Sequence, residues 1–252
     1  MKRWLPYLLL GCGVYLLTLV ATLPAAFAYR IAGPRLIPPS PLHLYDISGS
    51  IWSGRIGTVA YGANALGSLS WHLKPLPLLL GHLALSYELD ASDGTIAGTA
   101  VISRGGVELH DLSGRLPVAA LMAFNTALPF GAGGAIAFNI AQARLPARGV
   151  PSATGTLVWN RATLLANQPI PLGDLKLALR PQPKGGIDGT VSDAGGPLQI
   201  NGTATLDANR GYHLDLQLRA RPNADAALGN TLRMLGRPDP RGEYTLRYNG
   251  RY

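Results

Sequence analysis

Tyr212-His213-Leu214-Asp215-Leu216-Gln217-Leu218 alternates apolar and polar side chains without a break. A period of two puts Leu214, Leu216 and Leu218 on one face, the pattern of an antiparallel strand covering a core on one side. Leu83-Ala84-Leu85-Ser86-Tyr87-Glu88-Leu89 follows the same rule, as do Leu175-Lys176-Leu177-Ala178-Leu179-Arg180 and Tyr244-Thr245-Leu246-Arg247-Tyr248. Turn-forming groups separate these runs at hairpin-like intervals, among them Ser92-Asp93-Gly94, Arg104-Gly105-Gly106, Lys184-Gly185-Gly186 and Asn209-Arg210-Gly211.

Composition points the same way. Glycine (31) and proline (20) together fill about a fifth of 252 positions, so long helices are excluded while short strands joined by turns are not. Charged residues are only 14% and mean hydropathy is positive, which excludes a charge-rich disordered chain. A single cysteine, Cys12, leaves no disulfide framework and no cysteine-based zinc site. The net charge of +8 is spread singly, with no lysine-rich run and no interleaved aromatic platform, so no nucleic-acid partner is expected.

Upstream, Lys2 and Arg3 precede a run from Leu5 to Tyr29 without a charged residue. As one helix it would rise about 37 Å, enough to cross a bilayer core, and the preceding positive charges predict a cytoplasmic N-terminus. The expectation is a cytoplasmic tail at 1–4, a transmembrane anchor at 5–29 with Cys12 buried in it, and the bulk of the chain periplasmic in a single-pass inner-membrane protein. Ala26-Phe27-Ala28 leaves signal-peptidase cleavage open as the alternative, though the run is longer than a usual signal core. A proline-rich linker is expected at 30–41.

Self-similarity recurs at an offset near 105 residues. Leu66-Gly67-Ser68-Leu69 matches Leu172-Gly173-Asp174-Leu175; Ile96-Ala97-Gly98-Thr99-Ala100 matches Ile200-Asn201-Gly202-Thr203-Ala204; Leu116-Pro117 corresponds to Arg221-Pro222. Gly49-Ser50-Ile51-Trp52 pairs with Gly155-Thr156-Leu157-Val158-Trp159. A short helical piece follows in each half, over 118–126 and 224–235, and a strand closes each. The reading is mainly β: an N-terminal transmembrane helix, then two repeated halves, 42–148 and 149–252, forming one strongly curved antiparallel sheet or two similar sheets in tandem.

Chemistry is hard to find. His43, His72, His82, His110 and His213 form no metal-binding spacing, and no G-x-S-x-G elbow occurs. Gly131-Ala132-Gly133-Gly134 is too short for a phosphate loop and reads as a tight turn. No catalytic, cofactor-binding or metal-ligating residue is assigned, no cofactor is expected, and an enzyme is not expected. Trp52, Trp71 and Trp159 read as core aromatics, and Pro75-Leu76-Pro77-Leu78-Leu79-Leu80 as an apolar loop-to-strand segment that packs in the core, with a partner or membrane-surface contact as the sharper reading.

Gly49-Ser50-Ile51-Trp52-Ser53-Gly54, Trp71-x-Leu73-x-Pro75 followed by Leu79-Leu80-Gly81, and Trp159-Asn160-x-Ala162 together resemble the type II secretion system protein N family. The closing Leu235-Gly236-Arg237-Pro238-Asp239-x-x-Gly242-x-Tyr244-x-Leu246 is the most specific piece of that resemblance. It implies an accessory inner-membrane component of the machine that exports folded proteins across the outer membrane, with other secretion subunits and the inner membrane as partners. The exported domain of that family also resembles the AsmA-like β-groove superfamily, which implies an apolar trough. Two functions follow: a scaffold that docks partners along edge strands, or a lipid-handling module whose apolar face binds phospholipid or lipopolysaccharide. The binding residues are unknown at this level; Leu177 and Leu216 are chosen as positions at which to test an apolar face.

Overall fold

The structure, a computed structural model, describes residues 7, 11–13, 15, 18, 19, 21–36, 42–61, 64–78, 80–91, 94–124, 131–165, 168–183, 185–207 and 211–251. These fall into two compact units, Met1–Ser92 and Asp93–Tyr252.

The first unit holds helix α1 (Ala25–Leu36), strands β1 (Leu42–Gly49), β2 (Ser53–Tyr61) and β3 (Asn64–Lys74), the single-turn helix α2 (Pro75–Leu78) and strand β4 (Leu83–Ala91). Each strand pairs antiparallel with its neighbour in the chain. Among its described residues Ala25, Ile56, Val59 and Ala84 are the buried apolar ones.

The second unit holds β5 (Gly94–Ser103), β6 (Gly106–Pro117), α3 (Val118–Phe124), β7 (Gly131–Pro146), β8 (Ser152–Leu165), β9 (Pro169–Pro181), β10 (Gly186–Asp193), β11 (Leu198–Asp207), β12 (Gly211–Ala220), α4 (Ala226–Arg233) and β13 (Tyr244–Arg251). All its pairings are again antiparallel and between chain neighbours. The mainly-β, antiparallel reading of the alternating stretches therefore stands, and all four quoted runs lie inside strands.

The membrane anchor does not. Among the described residues no helix is long and apolar enough to cross a membrane. The cause is visible at Pro24. Proline lacks the N–H that a helix interior needs and biases the residue before it toward extended backbone. Helical structure accordingly stops at Ala21, Pro24 bridges to Ser50, and Leu23 O accepts from Ile51 N at 3.0 Å. The helix that restarts, α1, has 12 residues, about 18 Å of rise, and carries Arg30 and Arg35. The single-pass, inner-membrane placement that rested on an uninterrupted 5–29 span is corrected with it. Residues 30–36, read as part of a linker, are the continuation of α1, while 37–41 lie outside the described residues; Cys12 is exposed.

Element order repeats. β2-β3-β4-β5-β6-α3-β7 is followed by β8-β9-β10-β11-β12-α4-β13, with α2 as an addition in the first series. Leu66-Gly67 lies in β3 and Leu172-Gly173 in β9. Both glycines have positive φ, +139° and +97°, and both sit beside a register shift, opposite Val59 and Ala162. A side chain there would be strained and would run into backbone, Asp90 in one case and Gly196 in the other. The tryptophan match is looser: Trp52 follows the end of β1, whereas Trp159 is in mid-β8. Gly131 to Gly134 is not a turn either. It opens β7, and Gly134 (φ +97°) takes up the register shift between Gly133 and Ala135.

Candidate functional site

Cross-strand register sorts the second unit into two faces. Phe138, Leu157, Leu177, Val191, Gly202, Leu216 and Leu246 stand directly opposite one another from β7 to β13. One residue along, Val158, Lys176, Ser192, Asn201, Gln217 and Thr245 form the next row, and residues one apart point to opposite faces. The alternation seen in single strands thus becomes one apolar face and one mostly polar face.

Helix α4 covers part of the apolar face. Asp225 caps it, its Oδ1 accepting from Ala227 N at 2.8 Å. Leu228 and Leu232, one turn apart, point inward and are buried with Ile170, Leu172, Leu198, Ile200, Leu216 and Leu218. Leu157, Leu177 and Leu179 lie outside that cluster and stay half-buried. The two chosen test positions therefore differ: Leu216 is part of the core under α4, and only Leu177 belongs to the uncovered part of the face.

The loop into α4 is tied down by a charge pair. Arg221 Nη2 donates to Asp193 Oδ1 at 2.6 Å, and its Nη1 donates to Gly196 O at 2.5 Å. Asp193, whose side chain is only 7% exposed, also accepts from Gly195 N at 2.9 Å and Ile200 N at 3.0 Å. Burial pushes the Asp193 carboxyl up, but the two backbone donors and the Arg221 guanidinium together outweigh it, so it titrates below its ordinary value. Sequence reasoning missed this pair because its partners are 28 residues apart. The signal was in the repeat, where Arg221-Pro222 stands against Leu116-Pro117: a charge replacing an apolar residue at a matched site.

The sheet ends are the other candidate surfaces. β13 pairs with β12 and, among the described residues, with no other strand; β1 likewise pairs only with β2. On β13, Thr245, Arg247, Tyr248, Asn249 and Arg251 are exposed. Arg247 Nε meets Asp215 Oδ2 at 2.9 Å on the polar face.

Among the described residues the remaining polar side chains assemble into no further site. Among the described residues no group of three His, Cys, Asp or Glu side chains could hold a metal ion. His110 lies 3.4 Å from Glu108, and His213 lies 2.8 Å from Asp207 and 3.0 Å from Asn249 Oδ1; both rings are on the surface side of their strands. The indoles act structurally: Trp71 Nε1 donates to Ile51 O at 3.2 Å and Trp159 Nε1 to Gly133 O at 2.9 Å. Gly54 faces the Trp71 ring so closely that no Cβ would fit, which accounts for the glycine in the Trp-Ser-Gly segment.

The sequence model described as "Type II secretion system (T2SS), protein N" matches residues 40–247. Type II secretion system protein N of Aeromonas hydrophila is 28% identical over 251 residues, covering 94% of this chain and 94% of that protein. Its counterpart in Pectobacterium carotovorum subsp. carotovorum is 24% identical over 221 residues, covering 84% and 85%. No solved structure matches the chain.

Proposed function

This chain belongs to the type II secretion system protein N family, and on that premise we propose that it is a non-enzymatic accessory component that works by scaffolding or assembly contacts. As a component of the type II secretion system it has other subunits of that system as partners. The observation that carries the scaffolding reading is the free outer edge of β13. An edge strand presents unpaired N–H and C=O groups to which a partner strand can add, and alternate side chains then set specificity. Arg247 and Arg251 on that strand favour a partner segment with acidic residues at alternate positions.

The test is the double substitution Arg247→Glu with Arg251→Glu in a secreting strain. Both residues are exposed, so the fold is retained, at a cost of about 1 kcal/mol for the lost surface pair with Asp215 and the like charge then set opposite it. Secretion and crosslinking to neighbouring subunits should both fall several-fold. Unchanged crosslinking from a folded variant sinks the β13 reading.

A second reading, acyl-chain binding on the apolar face, is favoured by the half-buried Leu157, Leu177 and Leu179 beyond the edge of α4. Leu177→Asp should then abolish co-purification of phospholipid or lipopolysaccharide while circular dichroism is unchanged. If the lipid content of wild type and variant is the same, that face carries no lipid.

A further inference from the structure

Between β3 and β4 the chain passes through Pro75-Leu76-Pro77-Leu78-Leu79-Leu80-Gly81. Leucines in a hairpin connection ordinarily fold back on the sheet, yet Leu76 is 76% exposed, Leu80 is 78% exposed and Leu78 is 37% exposed. No residue of α2 is buried. Three large apolar side chains thus project from one hairpin tip, which isolated surface leucines do not do.

The backbone of the tip is closed on itself. Leu80 N donates to Pro77 O, Gly81 N to Leu78 O and His82 N to Pro77 O, each at 3.0 Å. Pro75 and Pro77 have no N–H to satisfy and hold their φ angles near the helical value, so the leucines are presented in a fixed arrangement. An unpaired N–H or C=O is what makes it costly to place loop backbone against hydrocarbon, and these bonds satisfy the N–H groups of Leu80, Gly81 and His82.

Charge gives the direction. No acidic residue occurs between Asp46 and Glu88, an interval that contains Arg55, His72, Lys74 and His82. Lys74 and His82 flank the tip, and His72 stands two residues further down β3. None of these three side chains makes a hydrogen bond or ion pair among the described residues. Glu88 pairs with Ser70, four positions down the ladder from Lys74, or about 14 Å away. An apolar end with a lysine and no carboxylate beside it is complementary to a lipid surface with anionic headgroups: the leucines reach the acyl boundary and Lys74 stays among the phosphates.

We infer that the α2 tip, through Leu76, Leu78 and Leu80 with Lys74 beside them, is a peripheral docking point for an anionic lipid surface. The inference stands apart from the β13 reading and uses a different unit of the chain.

The full chain carrying Cys12→Ser and Leu80→Cys, labelled at position 80 with an environment-sensitive fluorophore, tests it directly. On vesicles of equal parts phosphatidylcholine and phosphatidylglycerol the emission should shift to the blue and rise roughly threefold. Adding Leu76→Ser should abolish most of that change, and adding Lys74→Ser should weaken the apparent affinity about fivefold. The same label placed by Tyr45→Cys, on exposed β1 of the same unit, should report no change. An unchanged emission at position 80 overturns the proposal. So does an equal response at positions 45 and 80, which would mean adsorption of the protein as a whole. A full response on phosphatidylcholine alone removes the anionic part of the claim and overturns it as stated.

Discussion

Leu228→Ala is expected to lower the free energy of unfolding of the second unit by about 3 kcal/mol. Leu228 is 1% exposed, and it is the side chain through which α4 closes the cluster of Ile170, Leu172, Leu198, Ile200, Leu216 and Leu218. Removing three methylene-scale groups loses their transfer free energy, and rigid strands around the vacated space cannot collapse into it fully. Urea unfolding followed by circular dichroism and by tryptophan emission, with Trp159 packed against the cluster, measures the change. The midpoint should fall with little change in slope. Leu235→Ala, two residues past the helix and 45% exposed, is the control and should cost less than about 0.5 kcal/mol. Equal effects of the two substitutions would mean that α4 does not hold this part of the sheet together.

The second large effect belongs to Arg221. Arg221→Leu leaves a carboxylate with a 7% exposed side chain without its counter-charge, and the expected loss is about 2 kcal/mol. The loss stays below that of a fully buried pair because Arg221 is itself 29% exposed and the Gly195 and Ile200 N–H donors still hold Asp193. Adding Asp193→Asn should recover part of the loss, since it removes the uncompensated charge while keeping an acceptor oxygen for the backbone donors. The pH dependence has a definite sign. The folded carboxyl titrates below its ordinary value of 3.8, so its contribution to stability is fully present above that value. It is lost as pH falls through the lower, folded value. Wild type should therefore lose stability more steeply below about pH 4 than Arg221→Leu does, and parallel acid limbs for the two proteins would show that the pair contributes nothing.

The strands were legible because their signal is local. Side-chain direction alternates with every residue of an extended chain, so one glance along 212–218 or 175–180 fixes both the element and its two faces. The turns were legible for the same reason, since glycine, aspartate and asparagine favour them through their own backbone. Repeat matches at Leu66-Gly67 and Leu172-Gly173 also carried through to equivalent register shifts. The 5–29 span failed because a hydropathy count averages over a window, and one proline inside the window breaks the helix without changing the average.

What stayed out of reach was decided by distance in the chain. α4 covers Leu216 and not Leu177, although both sit in equally clean alternating strands, because its loop is pinned to Gly196 and Asp193 across 25 and 28 residues. The outer edge of β13 is free because its only described partner is β12, a fact of topology that no stretch of strand-forming residues encodes. Leu76, Leu78 and Leu80 read as core by composition and stand in solvent at the tip formed by a four-residue helix and the turn after it. Alternation, turn chemistry and glycine spacing set the strands and their faces, since those depend on neighbours one or two residues away. Which part of the apolar face is covered, which edge is open and which apolar residues are left outside were decided only when distant segments met, because burial is a property of the assembled sheet and not of the segment.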